Sequence, residues 1–296
     1  LISRDRWETR VVLTEEGTAV ELYTERPGRQ SRVGNIYKGR VQNVLAGMEA
    51  AFVDIGLDRN GYLSVDEIAA VGGAASRRGR KITELLRSGS ELLVQIIRDE
   101  MGGKGPRLTT QVSLAGRYVV YMPGAGSWGA SRRLDDAERE RLRDLCRSLL
   151  PCEGGLIART AAEGADEVAL QRDLRFLQRV WSGISLRAAA AQAPCRVYAE
   201  MELALRAVRD LSAADVDTVV VDDEGLSRRV ANYLRAVAPG SSTVVEHYRG
   251  GAPLLDAFGL EGAARKALAR RVDLPSGGYV VIDHTEAMTV IDVNTG

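Results

Sequence analysis

The residues of this chain best suited to chemistry stand in three places. Near the end, Asp292 and Asn294 are two apart in VIDVNTG. Residues two apart on a strand point to the same face, so this carboxylate and amide could together orient a hard cation such as Mg²⁺ and its waters. The same pair also reads as a strand end closed by turn-forming residues. Arg159-Thr160 follows the apolar run GGLIA. A guanidinium offers a planar fork with permanent positive charge and the hydroxyl adds a donor, a set that suits a terminal phosphate. Out of context such a pair is ordinarily a surface feature. Phe52 and Tyr62 sit on successive apolar runs, where rings displayed outward could stack unpaired bases at about 1–3 kcal/mol each, or else fill a core.

The elements that must position these groups can be read from pattern and punctuation. Residues 279–283 and 288–293 are rich in Val and Ile, and His284-Thr285-Glu286 between them suits a hairpin connection that ends at Asp292. Arg159-Thr160 closes an expected strand over 156–160. Phe52 and Tyr62 fall among five short, glycine-punctuated strands at 35–44, 49–55, 61–64, 92–98 and 107–112, for which a small closed barrel of the OB type is the natural fold. A hairpin over 11–13 and 19–24, turning through Glu15-Glu16-Gly17, precedes it.

After the barrel come a strand at 118–122 and a helix opened by Asp135, with Glu138 placed for a capping box and Leu142, Leu145 and Leu149 as its apolar stripe. A second helix, expected over 166–181, repeats Leu170, Leu174, Leu177 and Trp181. Pro194 breaks the pattern, and 198–211 is expected to resume as helix. Strand 216–221, helix 226–237, strand 243–247 and helix 260–271 then alternate, which points to an α/β layer.

Bulk properties set the frame. With 296 residues the chain is long enough for two or more domains. Lys plus Arg equals Asp plus Glu at 40 each, and no apolar run reaches the length of a membrane span or signal peptide, so a cytoplasmic location is the default expectation. The three cysteines, Cys146, Cys152 and Cys195, have no C-x-x-C spacing and are read as reduced, mostly buried thiols. Charge is uneven along the chain: residues 26–107 carry 14 Lys and Arg against 9 Asp and Glu, including Arg77-Arg78-Gly79-Arg80-Lys81. Such a loop is a nucleic-acid patch or simply a solvated one.

VGNIYKGRVQNVLAGMEAAFVDIGLDRNGYLSVDEI, residues 33–68, resembles the S1 RNA-binding domain of the ribonuclease E/G family. The resemblance continues through GPRLTTQVSLAGRYVVYMPG (105–124), GGLIARTAAEGA (154–165) and SGGYVVIDHTEAMTVIDVNTG (276–296), in the family's order and at its approximate spacing. It implies an α+β multidomain fold. A ribonuclease-H-like α/β domain over 1–31 and 206–268 would carry an inserted S1 barrel (32–110) and a 5′-sensor subdomain (111–205), and 269–296 would begin a deoxyribonuclease-I-like catalytic domain.

The function implied is a Mg²⁺-dependent endoribonuclease of RNA processing and decay. It would cut single-stranded RNA and sense a 5′-monophosphate, with water attacking the phosphodiester to leave a 5′-phosphate and a 3′-hydroxyl. By the same resemblance Phe52, Tyr62 and Lys104 contact RNA on the barrel. Arg159 and Thr160, with Gly116, Val120, Arg132 and Arg133, form the 5′-phosphate pocket. Arg132 and Arg133 could equally bridge to the acidic helix that follows. Asp292 is the metal-binding carboxylate and Asn294 its supporting amide.

The family has a second aspartate some forty residues further on and a cysteine pair whose Zn²⁺ links subunits. The chain begins at Leu1 without a methionine and ends two residues after Asn294, so it is expected to be a piece of a longer, homo-oligomeric protein, itself weakly active or inactive. His247 and His284 are read as structural, and Asp283 and Glu286 as turn residues or supporting acids. The alternative function is a non-catalytic RNA-binding module built from the S1 domain and the 5′-end sensor.

Overall fold

The computed structural model describes residues 1–68, 81–149, 154–211, 216–286 and 288–295. Residues 77–80 of the basic run, and Cys152, lie outside these. Two compact units form: Leu1–Gln30 with Glu202–Val208 and Asp215–Gly296, and Ser31–Met201 with Arg209–Ala214.

The first unit is built on a five-stranded mixed sheet, ordered β15-β14-β1-β2-β3. Antiparallel β1 (Ile2–Arg4), β2 (Thr9–Glu15) and β3 (Thr18–Glu25) are joined on one side by β14 (Thr218–Val221) and β15 (Val244–His247), which run parallel to β1. The β2–β3 connection is tight because Glu16 and Gly17 both take positive φ, as a primed hairpin turn requires. Asp222, just past β14, locks β1 by accepting from Ser3 Oγ at 2.7 Å and from the Arg4 amide at 2.8 Å. Helix α5 (Glu224–Val237) starts where Asp223 accepts from the Leu226 amide, and buries Leu226, Val230 and Leu234 at four-residue spacing. Short helices α6 (Leu254–Ala257) and α7 (Glu261–Ala267) frame Leu255 and Leu260, which pack on Val12. A three-stranded antiparallel sheet follows: β16 (Arg271–Asp273), β17 (Tyr279–His284) and β18 (Thr289–Asn294).

The second unit contains the barrel. Strands β4 (Ile36–Leu45), β5 (Ala50–Asp54), β6 (Gly61–Ser64), β8 (Arg107–Thr109) and β7 (Glu91–Arg98) lie in that order, with the short helix α1 (Ile82–Leu85) before β7, and β7 pairs back onto β4 to close the ring. Its interior is filled by Tyr37, Val41, Val53, Leu63, Val94 and Leu108 among others, all buried. A four-stranded sheet, ordered β11-β12-β10-β9, comes next: β9 (Leu114–Ala115), β10 (Val119–Met122), β11 (Trp128–Ala130) and β12 (Gly155–Ala158). Helices α2 (Asp136–Leu149) and α3 (Glu167–Ala190) share a core with it through Leu142, Cys146, Leu156, Leu170, Leu174 and Leu177. Burial pushes the Cys146 thiol up to about 11, so it stays protonated and inert; Cys195 is half-exposed. The fold class is thus α+β, with an S1-type barrel within a mixed α/β chain.

Four local expectations are corrected. After Pro194 the chain forms a strand, β13 (Cys195–Tyr198), because the free edge of β4 is there to receive it; helix α4 (Leu203–Leu211) begins only afterwards. Helix α3 runs on to Ala190. The expected helix 260–271 ends at Ala267, since Arg271–Asp273 pairs with β17. Glu138 does not reach back to cap α2. Asp135 accepts from the Glu138 amide at 2.9 Å, while the Glu138 carboxylate takes Arg141 and the Gly164 amide instead.

Candidate nucleic-acid and metal sites

On the outer face of the barrel one row of residues is set by strand register. Asn43 pairs with Phe52, Phe52 with Tyr62, Tyr62 with Arg107 and Arg107 with Arg98. Partners across a ladder share a face, so two rings and two cations line up across five strands. Phe52 and Tyr62 are half-buried and stand outside the core cluster, edge to face with centroids 6.2 Å apart. Arg98 and Arg107 are exposed and directly opposed, an arrangement that like charge makes unfavourable without an anion nearby. Lys104 lies in the connection just before Arg107, exposed and bridged through its backbone to Met101. The sequence singled out Phe52, Tyr62 and Lys104. Asn43, Arg98 and Arg107 emerge only from register.

Arg159 stands at the end of β12 as the N-cap of a short 3₁₀ turn, Thr160–Ala162. Its guanidinium donates to the Gly116 carbonyl at 2.6 Å and to Asp210 at 2.6 Å. Two of its five N–H groups are so used among the described residues, leaving three for a ligand. The Gly116 carbonyl is itself fixed. Below it lies Asp173, buried, accepting from the amides of Tyr118 at 2.7 Å and Val119 at 3.0 Å. A Cβ on residue 116 would sit 2.3 Å from that carboxylate, so only glycine fits. Burial raises the Asp173 carboxyl above its ordinary range, against the pull of these amides and of Arg159. Asp210 is shared with Arg209, which also holds Glu200 at 3.0 Å. Burial raises the Asp210 carboxyl, but Arg209 and Arg159 outweigh it and hold it below the usual carboxylate range.

The other pocket residues surround this fork. Thr160 is exposed and shares a 2.8 Å hydrogen bond with Ser131. Val120 is half-buried on β10, between Ala115 and Ile157. Arg132 and Arg133 follow β11 and are exposed; neither side chain makes a hydrogen bond or ion pair among the described residues. Three of the four acids of α2 are served from within that helix, Asp136 by Arg139, Glu138 by Arg141 and Glu140 by Arg143. Sequence reasoning missed Ser131, Asp173 and Asp210, which come from distant stretches without a local motif.

In the last sheet Val281 pairs with Asp292 and Tyr279 with Asn294, so the two polar side chains do share a face. Asn294 Nδ2 donates to Asp292 Oδ2 at 3.1 Å, and Asp292 is exposed. Asp283 is engaged elsewhere: both its oxygens accept from Arg270, at 2.6 and 2.8 Å, and this pairing lowers its pKa. His284 bonds Thr289 and His247 accepts from Arg249. The oxygen donors suit a hard divalent cation rather than a soft one. Asp292 is the one carboxylate they offer, and no group of three or more His, Cys, Asp or Glu gathers among the described residues. No helix among them is long and apolar enough to cross a membrane.

Comparison with known proteins agrees with this layout. A family model described as S1 RNA binding domain matches residues 30–111, and that of the Ribonuclease E/G family matches residues 113–296. Ribonuclease G of Escherichia coli is 43% identical over 296 residues, covering 98% of this chain and 60% of its own length. Ribonuclease E of Nostoc sp. is 42% identical over 270 residues, 90% of this chain and 39% of its own. Ribonuclease E of Escherichia coli is 39% identical over 294 residues, 97% of this chain and 28% of its own. The chain therefore spans about three fifths or less of these relatives. With its S1-type barrel, and with most of its length matched by the family model, the chain belongs to the ribonuclease E/G family.

Proposed function

We propose that the protein acts in RNA processing and decay as an endoribonuclease that binds single-stranded RNA on the barrel and reads a 5′-monophosphate at Arg159. The observation that carries this is the Arg159 fork. It is fixed from below by a carbonyl and a carboxylate and keeps three N–H groups for a ligand, with Thr160 following it in the chain. Charge-assisted bonds of this kind contribute roughly 1.5–3 kcal/mol each, enough for tenfold or greater preference over a 5′-hydroxyl end. Phe52 and Tyr62 supply stacking that suits unpaired bases, and Lys104, Arg98 and Arg107 supply backbone neutralisation. The barrel corresponds to residues 32–110 and the sensor to 111–205. Residues 1–31 and 206–268 form the ribonuclease-H-like part, and 269–296 open the deoxyribonuclease-I-like part. There Asp292 would hold Mg²⁺, with Asn294 orienting the carboxylate through its amide. The chemistry such a cation supplies is polarisation of the scissile phosphate and activation of a water.

The test compares two short single-stranded RNAs, identical except for a 5′-monophosphate or a 5′-hydroxyl, on the chain and on Arg159→Ala at fixed salt. A tenfold preference for the monophosphate that disappears in the variant is expected. Equal binding of both ends by the unmodified chain would overturn the sensor and leave an S1-type RNA binder.

A further inference from the structure

The first unit carries a cleft that none of these roles uses. It measures about 500 Å³ and is lined from β2 and the residue before it, β3 and the segment after it, and α7 and the residue after it. Four guanidinium groups reach it, from Arg10, Arg26, Arg29 and Arg265, against two carboxylates, Glu8 and Glu261. The acids are already occupied. Arg10 binds Glu261 at 2.8 Å and Glu8 at 3.3 Å, and Arg26 also approaches Glu8 at 3.3 Å. Two positive charges are therefore left over. Arg29 and Arg265 are exposed, and neither side chain makes a hydrogen bond or ion pair among the described residues.

Cations gathered in a concave wall raise the local potential, because the low-dielectric surface focuses it on whatever enters. An arginine with its donors unused is matched in geometry to phosphate. Beside these charges the cleft has an apolar flank. Leu268 lines it and is 84% exposed. Charge for a phosphate next to bare apolar surface for a ribose or base is the pairing a nucleotide chain presents, and the volume is that of a small-ligand site.

We propose that this cleft is a separate contact for single-stranded RNA, binding two phosphates of the backbone through Arg29 and Arg265 while Leu268 carries the adjoining sugar or base. The proposal rests on the reading of the protein as an RNA-binding member of its family, and concerns a surface on a different unit from the barrel and the 5′ pocket.

The test uses a 5′-hydroxyl single-stranded RNA, so that the 5′ pocket is not engaged, and follows affinity against salt concentration. For a single strand, each phosphate that the protein ceases to neutralise reduces the slope of log K against log salt by about 0.7. Arg29→Ala with Arg265→Ala should reduce it by about 1.4 and weaken binding about tenfold at low salt. Arg228→Ala with Arg235→Ala removes the same charge from exposed positions on α5 and should change neither. Unaltered slope and affinity in the first variant, with the chain still binding RNA, would overturn the cleft alone, as would equal losses in the two variants. A chain that binds no RNA would overturn the broader reading. Poly-glutamate that binds the chain but not the Arg29/Arg265 variant, with RNA binding untouched, would assign the cleft to an acidic protein segment instead.

Discussion

Arg159 and Asp292 are the charged side chains on which the two proposed chemistries turn, and their surroundings differ in kind. Arg159 is fixed by a carbonyl and a carboxylate, and the carbonyl is positioned over a buried aspartate that binds successive amides. Asp292 is exposed on β18 and, among the described residues, has one hydrogen bond, from a neighbour on its own strand. A cation held in place ahead of its ligand loses little freedom on binding, whereas a free carboxylate must be ordered by what it binds. The contrast makes a stability prediction. Asp173→Ala leaves amides unsatisfied in a closed interior and should cost about 3 kcal/mol in denaturant unfolding, together with the 5′-monophosphate preference. Asp292→Ala should stay within about 0.5 kcal/mol of the unmodified chain, as exposed substitutions usually do. Similar losses in both would erase the distinction.

A smaller effect separates holding Arg159 from competing for it. Asp210 orients the guanidinium, but its negative charge also opposes an incoming phosphate dianion. Asp210→Asn keeps an oxygen acceptor beside Arg159 and removes the charge. Glu200 remains to serve the buried Arg209. Binding of the 5′-monophosphate RNA should tighten about fivefold, the scale of one partly exposed charge interaction, with 5′-hydroxyl RNA unchanged. Weaker monophosphate binding in a direct titration would mean that orientation outweighs repulsion and that Asp210 belongs to the site as a strut.

The barrel lies between these extremes, since its rings are half-buried and its cations exposed. Phe52→Ala should weaken single-stranded RNA binding by about 1–3 kcal/mol with little change in salt dependence. Lys104→Ala should lower the salt slope by about 0.7 with a smaller loss of affinity. Titrations at several salt concentrations distinguish the two. An altered slope in Phe52→Ala would show the ring to be supporting the cations rather than the bases.

What the sequence revealed follows the same division. The five barrel strands were legible because alternating Val, Ile and Leu are cut by glycine at short intervals, and the hairpin ending at Asp292 because both its strands are local and rich in β-branched residues. β13 was not legible: it forms because β4, some 160 residues earlier, presents an edge to it. The row that sets Arg98 and Arg107 beside Tyr62 depends on a bulge between Ile96 and Arg98, which no periodicity signals. Asp173 and Asp210 sit within helical patterns that look like any solvated face. Their roles arise from the loop and the guanidinium that the fold brings over them.

The smallest effect concerns the loop after Thr160, one wall of the prebuilt side of the contrast. Glu138 holds it, accepting from the Gly164 amide at 2.8 Å while paired with Arg141 at 2.6 Å. The Arg141 pairing, opposed by partial burial and helped by the Gly164 amide, lowers the Glu138 carboxyl from 4.5 to about 2. A carboxyl whose folded pKa is depressed adds stability above its unfolded value and loses it as pH falls through the folded one. The contribution of Glu138 should therefore be complete above about pH 4.5 and fade towards pH 2. Exposure and salt limit it to under about 1 kcal/mol. Thermal unfolding of Glu138→Gln should lie slightly below the unmodified chain at pH 6, and the gap should close as pH falls to about 2. A gap that persists in acid would mean that Glu138 acts through packing, and that the loop beside Thr160 is held by shape rather than by charge.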